Sequence, residues 1–256
     1  MLSKLVDCHS HIIDHPDVFS LLGAINLDKI LVMSSEPNQW QSVLKLHEAK
    51  SSVIPCLGLH PWLSYKVKQE LNSFEWVDEL RRLLLINPKA LIGEIGIDKC
   101  STTPGTNTVD KEFQWQCFEK QFQMAVELQR PISVHCVRQH GKLHEFFSMQ
   151  EKWPPSIMLH SFGGSPDSMK QLLKLKQAKR IYFSFSEIIN QRCKWTKDLI
   201  RECPWDQLLL ETDLHDPTKI NDAIVNIYEL VAEVKEKDLK EVIETVHQNL
   251  EKFLQF

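Results

Sequence analysis

The chain has 256 residues, 43% hydrophobic and 25% charged, enough to bury a full core without disulfides or a structural metal. Its 30 Lys and Arg against 34 Asp and Glu give a formal net charge of −4, which disfavours a dedicated duplex-coating protein but not an enzyme that meets phosphate through metal ions. No apolar run of about 18 residues suggests a membrane helix, no secretory leader is visible, and the 7 cysteines include no CxxC, so reduced, packed thiols and a cytoplasmic setting, open to the nucleus, are expected.

The first apolar run, Leu5–Ile12, reads as a strand, followed by Ile30–Met33, Val53–Leu59 and Ala90–Ile97. A loop rich in Ser, Thr, Pro and Gly, 99–109, comes next. Residues 110–129 carry Trp115, Phe118, Phe122 and Ala125 at helical spacing, and Pro131 stops that helix before the strand Ile132–Cys136. Further strands are expected at Ile157–Leu159, Ile181–Phe185 and Leu208–Glu211. Asp216-Pro217 is a cap and first-turn pair for a helix with Ile220, Ile224, Ile227, Val231 and Val234 on one face. Asp238 and Glu241 have the spacing of a capping box for a last helix, with Leu239, Val242, Val246, Leu250 and Phe253 as its stripe. Eight strands, each followed by a helical segment, predict one α/β domain over 1–256, a (β/α)8 TIM barrel with its active site at the C-terminal ends of the strands. An open doubly wound sheet is the competitor, weakened by the absence of GxGxxG after the first strand.

Chemistry gathers at the predicted strand ends. His9 and His11 close the first strand two residues apart, on one side of it. Glu94 ends the fourth, His135 the fifth, His160 the sixth and Asp213 the eighth. A lone histidine is ordinarily a hydrogen-bonded core residue. Six imidazole and carboxylate donors at one barrel mouth instead suit two divalent ions, zinc, manganese or magnesium, with Glu94 able to give one oxygen to each. His60, held before Pro61, is expected to bind substrate phosphate or to support the ligands. Asp98 reads as a helix cap or loop acid, and Glu211 as turned away from the site. Cys8 and Cys136 face outward by alternation, and His47, His144 and His247 fall on solvated helix positions.

In order, DCHSH (7–11), GLHP (58–61), IGEIGID (92–98), residues 114–136, HSFGGS (160–165), LLLETD (208–213) and 247–256 resemble the TatD family of metal-dependent hydrolases within the amidohydrolase-like barrels. The stretches RPISVHCVRQHG, PPSIMLHSFGGSP and RIYFSFS are most similar to fungal members. The resemblance spans essentially the whole chain. It implies one ion on His9, His11, Glu94 and Asp213, a second on Glu94, His135 and His160, and metal-dependent DNA hydrolysis, often from the 3′ end. The chain departs from the family's usual pattern in three places. Lys99-Cys100 stand where a Tyr commonly follows the fourth-strand motif, Arg138 lies one position later than the usual Arg, and Leu214-His215 replace Ser-Pro. All six ligand positions are kept.

The expected function is therefore that of a two-metal phosphodiesterase, a deoxyribonuclease, in which Asp213 accepts the proton of the attacking water and Glu94 holds both ions. It is expected to act as a monomer on DNA or another phosphodiester, away from membranes. A small-molecule hydrolase is the first alternative, since fold does not fix substrate. An interaction protein on a retained barrel is the second, with a protein partner on Trp and Phe residues of helices 73–87 and 139–153.

Overall fold

Eight short strands, β1 (Val6–Ser10), β2 (Lys29–Met33), β3 (Val53–Leu57), β4 (Leu91–Asp98), β5 (Ile132–Val137), β6 (Ile157–Leu159), β7 (Ile181–Ser186) and β8 (Leu208–Glu211), lie in one sheet in sequence order. Each pairs in parallel with the next. The computed structural model describes residues 4–70, 74–106 and 108–255. Among them the helices are α1 (Val18–Leu21), α2 (Trp40–Ala49), α3 (Ser64–Glu70), α4 (Glu75–Ile86), α5 (Lys111–Leu128), α6 (His140–Met149), α7 (Pro166–Leu172), α8 (Glu187–Asn190), α9 (Thr196–Glu202), α10 (Ile220–Lys235) and α11 (Leu239–Phe253). The strands are buried almost throughout, as expected when helices cover one face of a parallel sheet and barrel side chains fill the other.

The ring closes between β8 and β1. Asp213 N–H donates to the His9 carbonyl at 3.0 Å and His11 N–H to the Leu214 carbonyl at 2.9 Å. Beneath them the Asp7 carboxylate accepts from Thr212 N–H at 3.0 Å, Thr212 Oγ1 at 2.6 Å and His9 N–H at 3.1 Å. This is the barrel the strand spacing predicts, not the open sheet. It brings all eight strand C-termini to one mouth.

Gly96 is required where β4 meets β5. Its φ is +152°, and a Cβ there would stand 2.0 Å from the His135 carbonyl oxygen. The close approach of the two backbones holds His135 beside the strand that carries Glu94.

The helices follow the apolar stripes. α5 begins where the Asp110 carboxylate accepts from Phe113 N–H and ends at Gln129 in the left-handed region, with Trp115, Phe118, Phe122 and Ala125 buried. α10 is preceded by a 3-10 turn, Pro217–Lys219, capped by Asp216. Three expectations fail here. Asp238 makes no side-chain cap on α11, and Glu241 instead pairs with Lys237 at 2.8 Å. Trp76 of α4, Phe147 of α6 and Trp153 just beyond α6 are buried against the core rather than displayed; the exposed apolar residues of these helices are Leu85, Ile86 and Met149. His47, His144 and His247 are half-buried rather than solvated, with His47 Nδ1 on the Val53 carbonyl and His247 Nε2 on Asp28. No helix among the described residues is long and apolar enough to cross a membrane.

Candidate functional site

The strand ends deliver their side chains to one point. His9 lies on β1, and His11, one residue past its end, keeps the same side, so the two Nε2 atoms are 3.2 Å apart. Asp213 adopts φ 56° just beyond β8, where its N–H is tied to His9. That turn brings Asp213 Oδ1 to 3.6 Å from both Nε2 atoms. His135 comes from β5, His160 follows β6, and His60 follows β3.

Glu94, on β4 and buried, stands at the centre with its two oxygens facing different groups. Oε2 lies 3.0 Å from His11 Nε2 and 3.3 Å from His9 Nε2. Oε1 lies 2.7 Å from His160 Nε2, 2.9 Å from His135 Nδ1 and 3.2 Å from His60 Nε2. The seven residues singled out from sequence therefore all meet, in two groups that share one carboxylate.

In three of the rings the outward nitrogen decides what the inward one can do, whereas His11 Nδ1 is buried with no hydrogen-bond partner among the described residues. His135 Nε2 faces Asp98 Oδ2 at 3.2 Å, His160 Nδ1 faces Glu211 Oε1 at 3.3 Å, and His9 Nδ1 faces Ser133 Oγ at 2.9 Å. With those protons directed outward, His135 Nδ1, His160 Nε2 and His9 Nε2 offer lone pairs toward the centre, the orientation that metal ligation needs. His60 is the reverse. Its Nδ1 accepts from Trp62 N–H at 3.1 Å, so Nε2 carries the proton and donates to Glu94. The geometry thus separates His60 from the imidazoles that present lone pairs.

Asp98 and Glu211 are corrections to the sequence reading. Asp98 also accepts from Trp62 Nε1 at 2.5 Å and Cys100 N–H at 2.6 Å, so it is a partner of His135 rather than a helix cap. Glu211 faces the site: it accepts from Ser161 N–H at 2.9 Å, Ser161 Oγ at 2.6 Å and Ser184 Oγ, as well as facing His160. Strand alternation carried the signal. Glu94 and Asp98 are four apart on β4, Ser133 and His135 two apart on β5, and even spacing selects one face.

Electrostatics tie the cluster together. Burial alone pushes the Glu94 carboxyl up, but His160, His60 and His9 around it hold it well below the usual carboxylate range. Burial works against protonated His160, yet Glu94 and Glu211 raise it well above an ordinary imidazole. His135 is raised by Asp98 and Glu94 against the same burial penalty. Burial wins at His60, which falls to about 4. Burial also pushes Asp98 up, but hydrogen bonds from His135, Trp62 and Cys100 bring it down to about 2.

Mixed imidazole and carboxylate donors, with inward lone pairs and outward protons on acceptors, fit divalent metal ions. Two sets of such donors come within reach of a common point, His9 with His11 and Glu94, and His9 with His160 and Asp213; His60 lies as close to Glu94 and His135 but would have to give up its proton to ligate. A parallel eight-stranded barrel with such donors at its mouth has the form of a metal-dependent hydrolase.

Comparison with known proteins makes the class specific. The chain belongs to the TatD related DNase family, whose model matches residues 6–255. It is 26% identical to the Cut9-interacting protein scn1 of Schizosaccharomyces pombe, across 99% of both chains. It is 27% identical to the human deoxyribonuclease TATDN3, across 96% of this chain and 92% of that one. Among solved structures, the TatD homologue YJJV of Escherichia coli superposes with a TM-score of 0.82 at 23% identity, covering 99% of this chain and 98% of the other. The chain is accordingly a metal-dependent hydrolase of the deoxyribonuclease type.

Proposed function

We propose that the protein is a two-ion phosphodiesterase that degrades DNA from the 3′ end. The observation that carries this reading is the division of Glu94, Oε2 toward His9 and His11 and Oε1 toward His135 and His160. In this reading His9, His11, Glu94 and Asp213 hold one ion, and Glu94, His135 and His160 hold the other. Magnesium, manganese and zinc all suit the donor set. Bound there, such ions would supply an activated water near neutral pH and positive charge beside the phosphoryl oxygens.

The protein residues do the rest. Asp213 Oδ1 accepts the proton of the attacking water. The water oxygen bonds to phosphorus as the bond to the 3′ oxygen breaks, that oxygen takes a proton from solvent water, and a 5′-mononucleotide leaves. His60 Nε2–H, which faces Glu94 Oε1, is the donor available to a phosphoryl oxygen as charge grows on it. Asp98, Glu211 and Ser133 keep the three lone-pair imidazoles oriented.

The relatives support DNA as substrate, through the deoxyribonuclease named above. They also support a protein partner, through the Cut9-interacting relative that matches end to end. We place the protein in the cytoplasm with access to the nucleus, acting as a monomer.

The test is cleavage of an end-labelled single-stranded oligonucleotide by wild type and Asp213→Asn, in magnesium, manganese or zinc. Laddering from the 3′ end by wild type alone is expected. Near-normal turnover by the variant removes Asp213 from the mechanism. Failure to cut with any metal, beside turnover of amide or lactone substrates, replaces this reading with a small-molecule hydrolase.

A further inference from the structure

Three exposed aromatic residues, Phe19, Trp62 and Trp195, lie on segments that follow strand C-termini, and Trp62 stands directly against the site. Its ring centroid is 5.0 Å from that of His60 and 5.8 Å from that of His135, with interplanar angles of 88° and 78°. Its indole N–H is fixed on Asp98 Oδ2. Both contacts are edge to face and the polar edge is tied, yet the residue is 54% exposed. An indole held this firmly and left this open is a stacking surface. Burial of this residue would gain apolar contact, and the fold does not bury it.

Basic residues sit on the same side of the mouth. Lys99 and Arg138 are exposed, and neither forms an ion pair among the described residues. Lys99 N–H donates to the Val137 carbonyl at 3.1 Å, which brings the two side chains onto adjacent loops. Arg138 is held at φ 53°. Lys99 directly follows Asp98, and Arg138 lies three residues past His135. The donors themselves are recessed, with Glu94 1% exposed and the Asp213 side chain 12% exposed. A phosphodiester must therefore descend between the loops to reach them.

Resting on the phosphodiesterase reading above, we propose that the Trp62 indole face stacks on an unpaired nucleobase beside the scissile phosphodiester, with Lys99 and Arg138 on neighbouring backbone phosphates. The substrate class is then a single strand or a frayed end, since a base inside a duplex already has both faces covered. Every base offers a π-face, so recognition is tolerant of sequence.

The test uses the full chain with metal chelated, so that binding is read without cleavage, and a single-stranded oligonucleotide carrying 2-aminopurine near its 3′ end. Wild type should quench the 2-aminopurine by stacking. Trp62→Phe keeps a ring but loses the bond to Asp98, and should bind within about threefold of wild type. Trp62→Ala should bind roughly tenfold more weakly, and with metal restored should raise KM by a similar factor. An abasic site at the probe position should remove the difference between wild type and Trp62→Ala. Lys99→Ala with Arg138→Ala should reduce the salt dependence of binding by a slope of about 1 to 2.

Equal losses of kcat in Trp62→Phe and Trp62→Ala, at unchanged KM, would show that Trp62 acts only by positioning His135 through Asp98, and the stacking proposal falls. Binding and cleavage indifferent to Trp62→Ala, or duplex cut as fast as single strand, overturn it as well while leaving the phosphodiesterase standing. No binding or cleavage of any oligonucleotide by wild type overturns both.

Discussion

Asp98 Oδ2 lies 3.2 Å from His135 Nε2, on the far side of the imidazole from Glu94. The carboxylate fixes which nitrogen of His135 faces the centre. Asp98→Asn keeps the size of the side chain but can turn an amide N–H toward His135, reversing the tautomer. Metal affinity or turnover should fall by about 10- to 100-fold, with the fold intact by circular dichroism. Unchanged metal titration and kcat would show that the tautomer is fixed some other way.

Glu94 binds the two halves of the site into one. Removing its charge in Glu94→Gln leaves five imidazoles around a neutral amide. Wild type should melt at a higher temperature with saturating metal than in chelator, since ligand at a hundredfold over Kd stabilises by about 2.7 kcal/mol. In Glu94→Gln this shift should vanish, and equilibrium dialysis should show loss of bound metal, of both ions if the proposed pair is present. Retention of one tightly held ion would mean that the halves bind independently.

His140 opens α6, with its ring edge-on to Phe162 at 5.2 Å. Burial, and then the nearby His135, lower it from 6.5 to about 4. The unfolded chain takes up a proton near pH 6.5 while the folded chain resists until about pH 4. Stability from this group is therefore complete above pH 6.5 and is lost as pH falls toward 4. Relative to His140→Gln, wild type should lose on the order of 2 kcal/mol over that window, after allowance for partial exposure of the ring. Urea unfolding of both proteins in chelator at pH 7 and pH 4.5 gives the difference; parallel curves would show that His140 protonates freely in the folded state.

The barrel and its donor set were legible because both rest on period. Strands such as Ile157–Leu159 and Leu208–Glu211 stand where their apolar runs predict them. His9, Glu94, His135, His160 and Asp213 meet because parallel strand ends must converge. The supporting acids were harder to read. Glu211 has the right spacing from Asp213, but only the serines of β7 and the turn after β6 show that its charge can be held inside. Asp98 depends on Trp62, a contact across 36 residues that no local pattern encodes. The capping box at Asp238 was legible and misleading, because Lys237 competes for Glu241. Trp76 and Phe147 read as surface residues, and packing of the helix faces buries them instead.

Asp7 and Thr212 are 205 positions apart in the chain, and their hydrogen bonds close the ring. A chain emerging from the ribosome presents His9 and His11 early and receives Asp213 only after seven strands have been made. Until then β1 has an unpaired edge, the histidines lack their full complement of acids, and the seam that aligns His9 with Asp213 does not exist. No chain that stops before β8 carries the complete donor set, and such a chain is left with an open sheet edge rather than a weaker enzyme. The donor set is thus complete only once the last strand docks against the first.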